Sequence, residues 1–270
     1  MTVAAKQVRA GGFSRARGLA LGIGPSVSAL VLLAVVWELV GRAVGAAFLP
    51  PLSAVVGRLV ELVAEGTILV NLATSLTNLV LGFGISLTIG LGLGMLMGGY
   101  RRVEAALDIY VNAFLTAPSL VFAPIFFTLF GLGRGSVIAL IVMYSTFIMI
   151  ITTASAIRSV SPSLSEMGRS FCATDLQLFR KVILPAATPL IMAGVRLGAG
   201  RAVKGMINGE MFIAVVGLGK LMIDEGRQFD AEGVLAILIV IVLVAFGAAK
   251  AVQIVDARLT SWMPSTVRAE

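Results

Sequence analysis

Apolar stretches of about 20 residues recur along this chain, and they constrain its fold more than any other feature of the sequence. A helix of that length crosses the hydrocarbon core of a bilayer. Hydrophobic residues make up 58% of the chain and charged residues only 13%, whereas a soluble domain is ~45–50% apolar and ~25% charged. We therefore predict an all-α integral membrane protein and exclude the folds of soluble enzymes.

The residue types that are rare or missing narrow the chemistry further. The chain contains no histidine and a single cysteine, Cys172, which excludes histidine metal clusters, histidine-based catalytic triads, internal disulfides and multi-cysteine zinc sites. We expect no metal site. The formal net charge of +7 fits basic loops that set membrane topology better than it fits nucleic-acid binding, so we expect no nucleic-acid partner.

Six apolar segments are long enough to cross a membrane as helices. Pro50 and Pro51 close the first segment, and charged residues at helical spacing over 52–65 predict a short interfacial helix. The third segment is interrupted by prolines, and the acidic stretch 217–232 is predicted to be a loop. The six predicted spans cover residues 19–44, 68–98, 105–130, 136–157, 187–216 and 233–255.

Basic residues orient these spans. With six spans both termini lie on one side, whose loops hold twelve Lys and Arg residues against five on the other side. Because basic loops stay in the cytoplasm, we predict cytoplasmic tails at 1–18 and 258–270, a transmembrane domain at 19–257 and a cytoplasmic segment at 158–185. A cleaved signal peptide is the alternative for the first segment, but the length of that segment favours a retained helix.

Small residues recur at about every fourth position in two of the predicted spans. Such a stripe lets another helix approach closely, and we favour helix packing over substrate contact as its role. The two stripes are Gly82, Ser86, Gly90, Gly94 and Gly98 in the second span and Gly194, Gly198, Ala202, Gly205 and Gly209 in the fifth.

The polar segment after the fourth span contains two patterns typical of helix starts. Ser163 with Glu166 and Thr174 with Gln177 both match the capping box. We predict short helices over 164–171 and 175–184, joined by a turn near Cys172–Thr174, with Pro185 ending the second. Their apolar residues are compatible with a docking element on the cytoplasmic surface, and these residues alone leave an ordinary loop on the membrane as an open alternative. The apolar residues are Phe171, Leu176, Leu178 and Phe179.

The segment 166–196 resembles the EAA loop of bacterial ABC-transporter permeases of the importer type. That pattern is roughly E-A-A-x-x-x-G followed by F-x-x-V-x-L-P-x-x-x-P-x-I. Met167 and Gly168 stand where alanines are usual, and Cys172 stands in place of the family's turn glycine, which leaves the geometry of that turn open. The positions that agree at the right spacing are Glu166, Phe179, Val182, Leu184, Pro185, Pro189 and Ile191.

The resemblance extends to the nitrate, sulfonate and taurine branch of that family. The stretches 49–55, 117–133 and 200–210 are similar to its LPSPxxV, P…P…FGLG and GRAW…AE patterns, with Val203 in place of the tryptophan. The resemblance implies a multi-pass permease in the bacterial inner membrane, in contact with lipid. It implies a coupling segment that docks an ATPase, formed here by Glu166, Gly168, Cys172, Ala173, Thr174, Leu176, Leu178, Phe179 and Pro185.

The same resemblance implies a set of partners. These are a second permease copy in a homodimer, two cytoplasmic ABC ATPase subunits and an extracytoplasmic substrate-binding protein. The chain has no G-x-x-x-x-G-K-[ST] phosphate loop. We therefore expect no cofactor on this chain, with ATP and Mg bound by the partner ATPase. The branch resemblance implies a substrate that is a small organic or inorganic anion.

Ionisable residues in the fifth span are candidates for a translocation path. Arg201, Lys204 and Asn208 fall within an arc of about 60° on a helix, and Glu210 lies roughly opposite Arg201. Charged groups inside a span usually face the bundle interior or a water-filled path. The residues support equally well a structural role, in which Arg201 or Lys204 pairs with Glu210 of a neighbour. Met143 and Tyr144 of the fourth span are further candidates, although a packed stripe explains them too.

Taken together, these features predict the permease subunit of an ATP-driven importer that works by alternating access. An ion-driven secondary carrier or channel without an ATPase partner is the alternative, and it would favour a buried carboxylate such as Glu210. A membrane enzyme is disfavoured, because no span carries an Asp pair and histidine is absent. The chain itself is expected not to be an enzyme.

Overall fold

The computed structural model describes residues 13–45, 49–213 and 215–261, with the backbone alone for 13–26. Every regular element in that part of the chain is helical. Residues 1–12 and 262–270 of the predicted tails lie outside the described residues. In chain order the elements are α1 (Phe13–Val44), α2 (Leu52–Ala64), α3 (Thr67–Gly99), α4 (Arg101–Thr116), a 3-10 turn (Ser119–Phe122), α5 (Ala123–Phe130), α6 (Arg134–Arg158), α7 (Pro162–Ser170), α8 (Asp175–Leu178), a π turn (Phe179–Ile183), α9 (Leu184–Ile213), α10 (Gly217–Arg227) and α11 (Ala231–Leu259).

Five helices are long and apolar enough to cross a membrane: α1, α3, α6, α11 and the continuous helix Asp175–Ile213. The predicted third span is a bent pair, α4 followed by Ser119–Phe130, with 96° between its two parts. The bend falls at Ala117 and Pro118, both with extended backbones, because the residue before a proline is disfavoured in the helical region. With this pair counted as one span, the described chain has the six that were predicted.

The small-residue stripe of α3 lies directly on α6. A Cβ atom added to Gly82 would lie 2.7 Å from the Cβ of Ile141, and one added to Gly94 would lie 2.6 Å from the Cβ of Thr153. Such distances are too short for a real side chain, so only glycine permits this approach. The prediction of close helix packing is confirmed for this stripe.

The corresponding stripe of α9 packs on another side of α6. A Cβ atom added to Gly198 would lie 2.6 Å from the Cγ of Met149, and one added to Gly205 would lie 3.0 Å from the Cβ of Tyr144. Ala202 between them is fully buried. α6 is therefore held between two glycine-lined helices and forms the centre of the bundle.

α2 has the position expected of the predicted short helix and is bound to the end of α1. The indole Nε1 of Trp37 donates to the carbonyl oxygen of Pro50 at 3.1 Å. The carboxylate of Glu38 accepts from the backbone N–H and the hydroxyl of Ser53, each at 2.9 Å. These contacts hold the start of α2 against the last turns of α1.

The prediction of a loop over 217–232 is wrong, because α10 occupies its first eleven residues. Leu218 and Leu221 are buried and Met222 packs on the same cluster. Their spacing gives one apolar face, as in other amphipathic helices. The glycines and acidic residues that flank these positions hid the pattern in the sequence.

Candidate functional site

The segment between α6 and α9 forms a helix–turn–helix, as predicted, with one of its two capping boxes. The backbone N–H of Thr174 donates to the side-chain oxygen of Gln177 at 2.9 Å, and the N–H of Gln177 donates to the Thr174 hydroxyl at 3.4 Å. The predicted box at Ser163 is wrong: α7 begins at Pro162, and Ser161 precedes it without a side-chain cap. Proline is favoured at the first position of a helix, so α7 begins at Pro162, two residues before the predicted start.

Cys172 adopts the turn conformation that its side chain disfavours. Its φ is +56°, in the left-handed region, where a Cβ atom costs about 1–2 kcal/mol. The N–H of Cys172 donates to the Arg169 carbonyl at 2.8 Å, and the N–H of Ala173 donates to the Gly168 carbonyl at 3.2 Å. The cysteine therefore occupies a turn suited to glycine, and its thiol is exposed.

Two of the predicted coupling residues lie inside the segment. Leu178 is buried, and a Cβ atom added to Gly168 would lie 2.6 Å from the Cδ1 of Leu178. Gly168 leaves room for the Leu178 side chain between α7 and α8, and a larger residue there would have to displace it. Phe179 is half-buried and, like Val160, packs against a buried cluster of the bundle. Gly168 and Leu178 therefore close the interior of the segment, and Phe179 attaches the segment to the bundle.

The outer face of the same segment carries three large apolar side chains beside polar ones. Phe171 is 81% exposed, Leu176 63% and Met167 51%. Glu166, Cys172 and Thr174 are exposed as well, and Ala173 is half-buried. Met167 is a residue that sequence reasoning missed, because it stands where the resembled family has alanine. The segment therefore combines a packed interior with an exposed apolar patch, formed by Met167, Phe171 and Leu176.

Pro185 does not end the second helix, so that prediction is wrong. The chain stays helical from Asp175 to Ile213. Between α8 and α9 it forms the π turn Phe179–Ile183, and Pro185 follows it in the first turn of α9. A π turn widens the backbone and accommodates a proline, which lacks an N–H and clashes with a preceding carbonyl in a regular helix. α8 and α9 are consequently parts of one continuous helix.

Two cations lie on an exposed face in the middle of α9. Arg201 and Lys204 are exposed in the described chain and form no hydrogen bond or ion pair with any described residue. Asn208 continues this face one turn further and donates to the hydroxyl of Tyr144 at 2.8 Å. The structure thus brings four of the predicted path residues together on one face, which we call the polar face of α9: Tyr144, Arg201, Lys204 and Asn208.

The other two predicted path residues, Glu210 and Met143, are buried. The carboxylate of Glu210 accepts from the hydroxyl of Ser75 at 2.8 Å and from the backbone N–H of Gly219 at 3.1 Å. Asn78 is 3.5 Å away and accepts from Arg134 at 3.0 Å. In the described chain, Glu210 belongs to a network that joins α3, α9 and the start of α10.

A model of one protein family matches residues 86–261, and its description is binding-protein-dependent transport system inner membrane component. Among curated proteins, the putative aliphatic sulfonates transport permease SsuC of Bacillus subtilis is 31% identical over 232 residues, covering 85% of this chain and 84% of that protein. The taurine transport system permease TauC of Escherichia coli is 28% identical over 244 residues, covering 88% and 89%. The formylaminopyrimidine transport permease ThiX of Halalkalibacterium halodurans is 29% identical over 233 residues, covering 86% and 93%.

Solved structures are similar in fold. A chain from inward-facing conformations of the MetNI methionine ABC transporter superposes with a TM-score of 0.61 at 20% identity, over 69% of this chain and 93% of that one. A chain from a crystal structure of an amino acid ABC transporter with histidines gives a TM-score of 0.61 at 18% identity, over 74% and 97%.

Proposed function

This chain belongs to the family of binding-protein-dependent transport system inner membrane components, and from that premise we propose that it forms the path of an ATP-driven importer for small anions. The family is one of transport permeases, and the related proteins are ABC importer permeases.

The exposed apolar patch of the α7–α8 segment carries the proposal. Met167, Phe171 and Leu176 are exposed on a segment whose own interior is closed by the contact of Gly168 with Leu178. An apolar patch with a rigid support is typical of a protein interface. The patch docks a cytoplasmic ATPase, which binds the ATP and Mg that this chain has no phosphate loop to hold.

The continuous helix from α8 to α9 supports the coupling step. Because Asp175–Ile213 has no break, a displacement of the docked segment moves the polar face of α9 with it. ATP binding closes the two ATPases and opens the path outward, and hydrolysis returns it to the inward-facing state. Alternating access is then a rigid movement of helices rather than a local rearrangement.

The polar face of α9 supports an anionic substrate. Arg201 and Lys204 sit within a span without a described counter-ion, and an ionised group facing lipid there is costly. A second copy of the chain therefore covers this face and encloses a water-filled path lined by the cations of both copies. Aliphatic sulfonates and taurine, which the names of two relatives give as their substrates, carry a sulfonate anion.

The orientation follows from the basic residues. The α7 end of the bundle faces the cytoplasm of a bacterium together with both termini, and the α10 end faces outward to receive substrate from an extracytoplasmic binding protein. Glu210, on which an ion-driven alternative would rely, is paired with Ser75, Asn78 and Gly219 in the described chain. Its described surroundings do not favour that alternative.

A charge on the patch tests the ATPase contact. Leu176→Glu should abolish co-purification of the system's ATPase with the permease, because a carboxylate would be desolvated in the interface. Leu132→Glu, at the α10 end, is the matched control, since Leu132 is 66% exposed and Leu176 63%. Equal recovery of the ATPase with both variants would contradict the proposal. Leu178 is unsuitable for this test because it is buried.

A further inference from the structure

The turn between α10 and α11 presents a phenylalanine to solvent. Phe229 is 94% exposed, more than any other large hydrophobic side chain in the part of the chain whose side chains are described. Its φ is +59°, in the left-handed region where a side chain costs about 1–2 kcal/mol. Glycine at this position would avoid both the exposed apolar ring and the cost of the left-handed backbone. The phenylalanine therefore indicates a role other than stabilising the fold.

Backbone hydrogen bonds fix this turn. The N–H of Phe229 donates to the Gly226 carbonyl at 3.1 Å, and the N–H of Asp230 donates to the Glu225 carbonyl at 3.0 Å. The N–H of Ala231 donates to the Phe229 carbonyl at 3.1 Å. The aromatic ring therefore projects from a defined backbone rather than from a loose loop.

Ion pairs attach the turn to α2. The guanidinium of Arg58 lies 2.8 Å from the Asp230 carboxylate and 3.3 Å from that of Glu225. Asp230 also accepts from the backbone N–H of Gly233 at 2.8 Å and so caps α11. Burial favours a higher pKa for Asp230, but the bonds from Gly233 and Arg58 outweigh it and lower that pKa, which keeps the carboxylate charged. Three helices thus hold the base of the turn.

We propose that Phe229 is the anchor by which the extracytoplasmic substrate-binding protein docks on this permease, inserting into an apolar pocket on the binding protein. The inference rests on the proposed function, because that function places the α10 end outside the cell. Exposed aromatic side chains on a rigid base supply much of the energy of protein interfaces and lose little conformational freedom on binding.

The charges around the turn favour a protein over a lipid surface. Asp224, Glu225, Asp230 and Glu232 lie within five residues of Phe229, and Glu61 joins them through Arg58. The nearby cations are fewer: Arg58, Lys220 and Arg227. Anionic headgroups would repel this end of the molecule. A binding-protein surface with Lys and Arg around an apolar pocket complements it, and such charges speed association.

Stimulation of ATP hydrolysis by the binding protein tests the anchor. The assembled permease–ATPase complex in nanodiscs would be titrated with the purified substrate-binding protein of the same transport system, saturated with substrate. For each variant, the rate of ATP hydrolysis with binding protein is compared with the rate of the same complex without it. Phe229→Gly should raise at least tenfold the concentration of binding protein that gives half-maximal stimulation of ATP hydrolysis. Phe229→Tyr should keep that concentration within threefold. Because glycine suits the left-handed backbone, loss of folding would not explain the result.

A neighbouring variant is the control. Gln228→Ala changes an exposed side chain one residue away, whose amide bonds only the backbone of Asp224, and it should leave the half-maximal concentration within twofold. A Phe229→Gly complex that is stimulated like the unsubstituted one would overturn the anchor while leaving the proposed function intact. A permease that assembles with no ATPase would instead overturn the proposed function, and this inference with it.

Tryptophan fluorescence distinguishes whether the binding protein, lipid or a second permease copy contacts the side chain at position 229. In a Phe229→Trp complex, the added tryptophan should emit as an exposed residue and shift to the blue only when the binding protein is added. The unsubstituted complex, with Trp37 and Trp262, provides the background to subtract. Quenching by brominated phospholipid in vesicles of phosphatidylglycerol and phosphatidylethanolamine would show a lipid contact and overturn the proposal. A blue-shifted emission before the binding protein is added, without such quenching, would show a second permease copy and overturn it as well.

Discussion

At the scale of single residues, Glu210 shows how the bundle holds a carboxylate inside a span. Its oxygens accept from the Ser75 hydroxyl and from the N–H of Gly219, and Ser75 in turn accepts from the N–H of Leu218 at 2.9 Å. The first turn of α10 thereby turns its free N–H groups toward a negative charge, an arrangement favoured at helix starts. The residue joins elements rather than lining the exposed face of α9.

Removal of the Ser75 hydroxyl should therefore destabilise the fold. Ser75→Ala leaves Glu210 and the N–H of Leu218 each without one partner, and a buried unsatisfied group costs about 1–3 kcal/mol. The measurement is the free energy of unfolding in detergent. Thr74→Ala is the control, because Thr74 is exposed and bonds only to the carbonyl of Val70 in its own helix. Similar stabilities for the two variants would contradict the structural role of Ser75.

The candidate site could be located from the sequence, but the orientation of its residues could not. The capping box at Thr174 was predicted because both partners lie in one turn of helix. The burial of Leu178 was not, because it depends on Gly168 of the other short helix. A pattern of apolar residues shows that a segment is amphipathic, but it does not show which of them close the interior and which face a partner.

At the scale of elements, the glycine stripe of α3 makes a close contact with α6 that the sequence predicted. Gly94 lies on α6, where an added Cβ would be 2.6 Å from Thr153 and 2.8 Å from the carbonyl oxygen of Ile150. Gly92, in the same helix, would meet nothing within 4 Å. Both are glycines of α3, but only Gly94 lies against a neighbouring helix.

Gly94→Ala and Gly92→Ala form a matched pair. Gly94→Ala should lower the free energy of unfolding by about 1–3 kcal/mol, because the backbone contact cannot yield without moving α3. Gly92→Ala should be neutral or stabilising by up to ~1 kcal/mol, since alanine favours a helix more than glycine. Thermal unfolding in detergent would measure both. An equal change in stability in the two variants would show that the contact of Gly94 with α6 does not decide the outcome.

The elements that the sequence failed to predict share a physical cause. Apolar length identifies a span well because the bilayer sets it. α10 was taken for a loop because Asp224 and Glu225 mask the face made by Leu218 and Leu221. Pro185 was taken for a helix end because local rules do not anticipate a π turn before it. In both cases contacts with distant elements outweigh the local signal.

At the scale of the whole molecule, the proposed function places partners at both ends of the bundle and along one face. In that proposal the exposed patch on α7 and α8 docks an ATPase, and a second copy encloses a water-filled path around Arg201 and Lys204, which have no partner among the described residues. The continuous helix Asp175–Ile213 joins the patch to that face. Composition, span number and basic loops predicted the six-span bundle and its orientation, and the family resemblance implied the partners, whereas the exposure of the patch residues required the structure.

The most direct test of the central claim uses the native thiol at Cys172, which is exposed beside the patch. A short photo-crosslinker on Cys172 in inverted vesicles from the native host would be activated, and the captured protein identified by mass spectrometry. A Cys172→Gly chain carrying Leu132→Cys at the α10 end is the control, and it should capture no ATPase. Capture of the ABC ATPase subunit at Cys172 alone, with a yield that changes on addition of ATP, is the predicted result. Efficient labelling of Cys172 without capture of any ATPase would contradict the account.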